Sequence, residues 1–383
     1  MIVFGAPRRY IQGPGVLASI GGELAALGQS AVLIADDRVM ALVEREVSAS
    51  AAEAGVALRA LPFAGEITYD EIARLGALIA GDRPAIVIGA GGGKTIDTAK
   101  MVARDAGAAF VSVPTVASND SPTSHIAVIY DADHKIVGVE ENKANPDLVL
   151  VDTAVIIKAP LALLSAGVGD ALVKVFEVEQ CIGAGGNNVF GAKSPLSALA
   201  LARACYDTVR DNLTDAYAAH AAGTPNAAFE ALVEAAVLMS GLAFESGGLS
   251  VSHGMTRGLS AVPGVARALH GHQVAYGLLV QLELERRDAA FMQDMRAFFR
   301  AAQLPLTLAE PRRRPDLQLD DRHDRRTFGS CVPHEEVRPG IDRQGHRRRH
   351  PAHRGRLIWR AERRHSRSRA MWPSSPAPVA GSG

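Results

Sequence analysis

The sequence predicts an α/β domain over residues 1–158 followed by an all-helical domain over residues 159–310. Three observations predict it. Short, fully apolar runs rich in β-branched residues alternate with helical patterns at first, as strands of a parallel sheet covered on both faces do. Near Ala159-Pro160 those runs stop, and from Leu161 to Leu304 apolar residues recur at three- and four-residue spacing. One glycine-rich loop, Gly89-Ala90-Gly91-Gly92-Gly93-Lys94, stands between a strand pattern and a helix pattern.

In order, Ala31–Asp36 reads as a strand and Val39–Ala54 as a helix. Val56–Phe63 and Tyr69–Ala80 repeat the pair, as do Pro84–Gly89 and Thr95–Asp105. Ala109–Pro114 is a fourth strand, Ile126–Tyr130 and Lys135–Val139 form a hairpin, and Asp147–Val151 is one more strand. Ala198–Asn212, Ala227–Phe244 and Ala289–Ala302 are the clearest helices of the second domain. Glycines 241, 247, 248, 254 and 258 are read as helix ends or close helix contacts. A cleft between the two domains is the expected place for a ligand.

Composition narrows the class. With 383 residues, 48% of them hydrophobic, the chain can bury two cores. No apolar run approaches the ~18–20 residues of a membrane span, and the start lacks a signal peptide's basic and apolar regions. Cys181, Cys205 and Cys331 are far apart and give neither a disulfide framework nor a CxxC metal site. The expectation is a soluble cytoplasmic protein. The net charge of zero hides a division, because residues from Pro311 onward hold 18 arginines, no lysine and 8 acidic residues. That tail carries +10 and the first 310 residues −10.

The glycine loop has a physical purpose. Glycines let the backbone approach a phosphate, and the free amides and positive end of the following helix stabilise its charge. Two known templates fail here. A Walker loop needs a glycine where Ile88 stands, and a dinucleotide fingerprint follows the first strand, whereas this loop follows the third expected one. A turn that binds nothing is the plain alternative; the strand-to-helix setting favours a phosphate.

Four ordered segments carry a resemblance. Gly91-Gly92-Gly93-Lys94-Thr95-Ile96-Asp97-Thr98-Ala99-Lys100 resembles the diphosphate loop of glycerol dehydrogenases in the iron-containing alcohol dehydrogenase superfamily. Val113–Pro122 resembles that family's PTxASxDxP segment, and Gly167-Val168-Gly169-Asp170-Ala171 its GxGDA metal segment. Glu245-Ser246-Gly247-Gly248-Leu249 precedes His253, and His270-Gly271 leads into Val274-Ala275-Tyr276-Gly277. The resemblance covers about residues 5–310 and implies the dehydroquinate synthase-like, iron-containing alcohol dehydrogenase fold. It also implies a metal- and NAD-dependent polyol dehydrogenase and a ring-like homo-oligomer, an octamer.

Carried over by position, the resemblance makes Asp170, His253 and His270 the metal ligands. Asp36 would bond the adenosine ribose, and Gly92, Gly93 and Lys94 the diphosphate. Thr115, Ser118, Ser124, Ile126 and Tyr130 would line the rest of NAD, with Asp120 at the substrate's hydroxyls and His253 beside the chemistry. The chemistry is coherent. An alcohol yields hydride readily only once its proton is leaving, and a divalent ion lowers that pKa. One carboxylate and two imidazoles leave a position open for substrate. Zinc is the first choice of metal and ferrous iron the second, since both suit these ligands.

The chain departs from the family in three places. Thr256 stands where a second histidine is frequent, and His272 is a rival to His270. After Glu310 the family's amphipathic helices give way to Arg/Pro-rich sequence, with eight prolines from Pro311 onward. A basic arm for nucleic acid is one reading of this tail. A reading-frame shift near codon 310 is favoured, because it explains the loss of lysine and of periodicity; such a segment should not pack a core. Rival functions are a lyase like dehydroquinate synthase and an inactive product. The Asp120 segment suits neutral hydroxyls and so favours the dehydrogenase.

Overall fold

Among the described residues eight strands form in chain order: β1 Tyr10–Gly13, β2 Ser30–Ala35, β3 Ala57–Pro62, β4 Ile86–Gly91, β5 Ala109–Pro114, β6 Ile126–Tyr130, β7 Ile136–Glu141 and β8 Leu148–Asp152. Six make a parallel sheet in the order β1-β8-β5-β4-β2-β3, and β6 and β7 pair as an antiparallel hairpin. The computed structural model describes residues 1–309 apart from Asp133 and Pro263, and these residues lie in one compact unit. The tail, with both readings of it, lies outside the described residues.

Alternation within the central strands explains how the sheet is covered. On β2, Ala31, Leu33 and Ala35 join one core while Val32 and Ile34 join the other. Helices α1 Ile20–Ala25 and α2 Asp37–Glu53 cover the first face; α3 Tyr69–Ile79 and α4 Gly93–Ala106 cover the second. The apolar runs that predict two covered faces are therefore β2, β4, β5 and β8. β3 is an edge strand with only Leu61 buried, so its run is not a two-sided core strand. β1 escapes the sequence reading because it is four residues long and nowhere fully buried. It pairs with β8 in the register Tyr10↔Val149, and it makes the glycine loop follow the fourth strand rather than the third.

After β8 the described residues form nine α-helices: α5 Thr153–Ile156, α6 Leu161–Leu172, α7 Lys174–Gly183, α8 Leu196–Ala222, α9 Ala227–Glu234, α10 Ser240–Gly247, α11 Val251–Leu259, α12 His270–Leu284 and α13 Ala289–Ala301. Asn226 caps α9 and Asp288 caps α13 through side-chain bonds to the backbone amides of Phe229 and Phe291. The expected single helix over 227–244 is interrupted by a π-turn, Ala235–Met239. This wider turn leaves the Val237 carbonyl to accept from Thr123 Oγ1 at 3.1 Å. The continuous stretch Ala227–Gly247 is long and apolar enough to cross a membrane by length and composition, contrary to the expectation that no apolar run approaches a span. It buries Phe229, Leu232, Val233, Ala236 and Val237 in the helical core.

Two glycines set the approach of the helices to the sheet. A Cβ on Gly167 would stand 2.0 Å from the Ala117 carbonyl oxygen, and one on Gly271 1.8 Å from that of Ala166. Only glycine admits backbone this close, so α6 can lie against the loop after β5 and against α12 at once. Gly254 and Gly258 are different: a Cβ on either meets nothing within 4 Å, so neither marks a close contact.

Candidate active site

β4 runs directly into α4, with Gly92 as the N-cap residue. Gly91 has φ +151°, and a Cβ there would lie 2.8 Å from Thr95 Oγ1. The Thr115 amide donates to the Gly91 carbonyl at 3.1 Å, which ties the end of β5 to the loop. Asp36 sits at the end of β2, beside β4, and caps α2: its Oδ1 accepts from the amides of Arg38 at 2.9 Å and Val39 at 3.0 Å. Asp36 and the glycine loop thus share the carboxyl edge of the sheet, where ligands of open α/β sheets bind.

The other expected cofactor residues gather in two groups. Lys94 Nζ pairs with Glu66 Oε2 at 2.7 Å, and the same oxygen meets His134 Nδ1 at 2.9 Å. His134 stacks on Tyr130 with centroids 4.5 Å apart and planes 7° apart, so Lys94 and Tyr130 are brought together. Burial acts to raise the Glu66 carboxyl, but hydrogen bonds from His134 and Lys94 outweigh it and hold the group below the usual carboxylate range. Burial pushes the Tyr130 phenol up to about 12. Ser124 and Ile126 gather on the buried Lys100, whose ammonium donates to the Ile126 carbonyl at 2.5 Å and meets Ser124 Oγ at 3.4 Å. Ser118 is half-buried in the loop after β5, and Thr115 is buried.

That same loop delivers Asp120 to the helical half. Among the described residues Asp170, His253 and His270 each offer a ligand atom, all within 4.8 Å of one another. Asp170 lies inside α6, not at a helix cap, and is fully buried. Its Oδ2 takes no hydrogen bond, an orphaned buried carboxylate oxygen that a cation would satisfy. Glu177 of α7 accepts from His253 Nδ1 at 2.5 Å and from its amide at 2.9 Å, which turns Nε2 toward Asp170. A carboxylate behind a ligand histidine is the usual outer support of a metal site. Burial acts to lower the His253 pKa, yet the Glu177 carboxylate raises it to about 9. His270 opens α12 with its ring 5.5 Å from that of His253, and burial lowers its pKa. One carboxylate oxygen and two ring nitrogens therefore fit a divalent cation. His272 is directed elsewhere, with Nε2 3.2 Å from Ser165 Oγ. Thr256 turns its hydroxyl back to the His253 carbonyl at 2.7 Å.

Sequence reasoning missed two residues here. Lys174 is fully buried, donates to Asp170 Oδ1 at 2.6 Å and pairs with Asp120 Oδ2 at 2.8 Å. Burial acts to lower its pKa, but Asp120 and Asp170 raise it well above the usual lysine value. Glu177 is the other. Both were detectable, because Lys174 and Glu177 follow Asp170 at helical spacing and interrupt the otherwise apolar Ala171–Val178 run. A further buried cluster holds the hairpin to α10: Glu245 accepts from the His125 amide, from His125 Nδ1 at 2.5 Å and from Asn145 Nδ2 at 2.5 Å.

Residues 7–153 match the family model of iron-containing alcohol dehydrogenases. Relatives extend the match across the helices. A glycolaldehyde reductase of Halobacterium salinarum is 39% identical over 308 residues, 80% of this chain and 84% of the relative. The chain belongs to the iron-containing alcohol dehydrogenase family. A glycerol dehydrogenase of Pseudomonas putida is 38% identical over 305 residues, again 80% of this chain and 84% of the relative. In three dimensions, the structure of a probable glycerol dehydrogenase from Sinorhizobium meliloti superposes with a TM-score of 0.77 and 36% identity, covering 84% of this chain and 87% of that one. As a member of the iron-containing alcohol dehydrogenase family, the chain is an oxidoreductase enzyme with the parallel sheet and helical half expected of that fold. The lyase alternative gains no support from these relatives, whose names are those of oxidoreductases.

Proposed function

We propose that this enzyme oxidises glycerol, or a related vicinal diol, with NAD and a divalent cation. The alcohol would lose a proton and a hydride, giving dihydroxyacetone or the matching hydroxyketone and NADH. The observation that carries the reading is the convergence of two sites on one loop. Thr115 bonds the glycine loop, and Asp120, five residues on, reaches the Asp170–His253–His270 cluster through Lys174. Asp170, His253 and His270 would hold the cation, which when bound lowers the pKa of the substrate hydroxyl. Zinc and ferrous iron both suit this ligand set, zinc being preferred here. Glu177 fixes the ring of His253, and Asp120 orients the neighbouring hydroxyl. Gly92, Gly93 and Lys94 would take the diphosphate, Asp36 the adenosine ribose, and Thr115, Ser118, Ser124, Ile126 and Tyr130 the remainder of NAD.

The test is a panel of glycerol, 1,2-propanediol and other vicinal diols, each with NAD and with zinc or iron added to chelator-treated protein. Turnover should require metal, whereas NAD binding should survive its removal. Turnover that persists without metal would overturn the reading. The same reading includes a cytoplasmic homo-oligomer, for which light scattering on the purified enzyme is the check.

A further inference from the structure

Lys174 links Asp120 to Asp170 but is given no chemical step in the reaction just proposed, and its position is unusual for a lysine. Its ammonium touches Asp170 Oδ1 at 2.6 Å, Asp120 Oδ2 at 2.8 Å and His253 Nε2 at 3.3 Å, with the Phe244 ring centroid at 5.7 Å. Two of these three polar partners are the candidate metal ligands. Asp170 Oδ1 and His253 Nε2 therefore face an ammonium, which stands beside the open Asp170 Oδ2 where a divalent cation would bind. The pocket also gathers three carboxylates, those of Asp120, Asp170 and Glu177, each of them buried. Unpaired buried charges are strongly destabilising, so such a pocket needs a cation in it at all times.

We infer that Lys174 is a built-in substitute cation, standing in the place of the divalent ion while the protein is metal-free. Metal entry then requires the ammonium to leave Asp170 and His253 and to keep Asp120 as its partner. A lysine suits this exchange, because its charge is a compact point on a flexible four-carbon stem. Two consequences follow. The metal-free enzyme stays folded, and its affinity for the cation is lower than the ligands alone would give. Asp120 gains a second task, as the group that receives the displaced ammonium.

The inference rests on the assignment of Asp170, His253 and His270 to the metal, and the experiment separates the two. Full-length protein is stripped with a chelator, and zinc binding is measured in competition with a chromophoric chelator, beside the melting temperature of the stripped protein. Lys174→Met should bind zinc at least ~10-fold more tightly, since a like charge has left the site, and should melt several degrees lower when metal-free. Asp120→Asn should bind zinc ~10-fold more weakly, and this loss should vanish in the double variant Lys174→Met/Asp120→Asn. A lysine that only packs the core would leave zinc binding unchanged or weaker in Lys174→Met, and that result overturns the inference. If Lys174→Met does not fold, the Asp120→Asn measurement decides alone, unchanged affinity being the overturning result. Retention of zinc at full stoichiometry by Asp170→Asn would overturn the ligand assignment itself, and the inference with it.

Discussion

Lys100 and Lys174 head the fully buried side chains of the described residues, and they are held in opposite ways. Lys100 pairs with Asp97 Oδ1 at 2.9 Å and donates to the carbonyls of Ser121 and Ile126, so most of its partners are main-chain or local groups. Asp97 is equally committed, accepting from Ser121 Oγ at 2.6 Å and from the Val128 amide at 3.1 Å. Lys174 instead takes its partners from three separate elements, and each is a side chain with chemistry of its own. The difference teaches how to tell a staple from a participant. A buried charge whose partners are main-chain groups is part of the frame; one whose partners are carboxylates and imidazoles shares them with a ligand.

The largest effect should come from the ligand side. Asp170→Asn or His270→Ala should lower kcat/KM by at least ~1,000-fold through loss of the metal, while His272→Ala should stay within about threefold, as its Nε2 is turned toward Ser165 Oγ. A more damaging His272→Ala in steady-state assays would reverse the choice of histidine. Next comes the staple. Lys100→Met should cost about 3–5 kcal/mol in urea unfolding, the usual price of stranding one partner of a buried pair, with zinc affinity unchanged. A change in zinc affinity would erase the distinction between the two lysines.

The smaller effects concern the cofactor side. Asp36→Gly should narrow the preference for NAD over NADP about tenfold, because the carboxylate repels a 2′-phosphate; equal efficiency with both cofactors before mutation would remove that role. The smallest involves Glu66, whose carboxyl is held below the ordinary value of about 4.3. A depressed carboxylate contributes stability above its unfolded pKa and loses it as pH falls through the folded one. Chemical denaturation should therefore show about 0.5–1 kcal/mol disappearing below about pH 4, and Glu66→Gln should flatten that slope. An unchanged slope in the variant would assign the loss to other carboxylates.

Much of this was legible in the sequence, for reasons that can be named. β2, β4, β5 and β8 announce themselves because burial on two faces demands unbroken apolar residues. β1 does not, being a short edge strand that exists through its pairing with β8. Gly167 was visible as part of a motif, but its reason, the carbonyl of Ala117 pressed against it, belongs to tertiary structure. Lys174 shows the limit most clearly. Thr98-Ala99-Lys100-Met101-Val102 and Leu172-Val173-Lys174-Val175-Phe176 look alike as lysines in apolar helices. Only the groups that meet each ammonium, most of them distant in sequence, make one a staple and the other a neighbour of the candidate metal site.

The π-turn at Ala235–Met239 has a consequence for rotational phase. An α-helix advances ~100° per residue, so the residue a wide turn adds rotates everything beyond it by more than a quarter of a circle. Six residues after the turn, Glu245 points at His125 and Asn145. The wide turn is thus an indexing step, matching the face of α9 that packs the helical core to the face of α10 that grips the hairpin. Deleting one residue from 235–239 would restore a regular helix and swing Glu245 away from both partners. It would also withdraw the Val237 carbonyl from Thr123, three residues past Asp120.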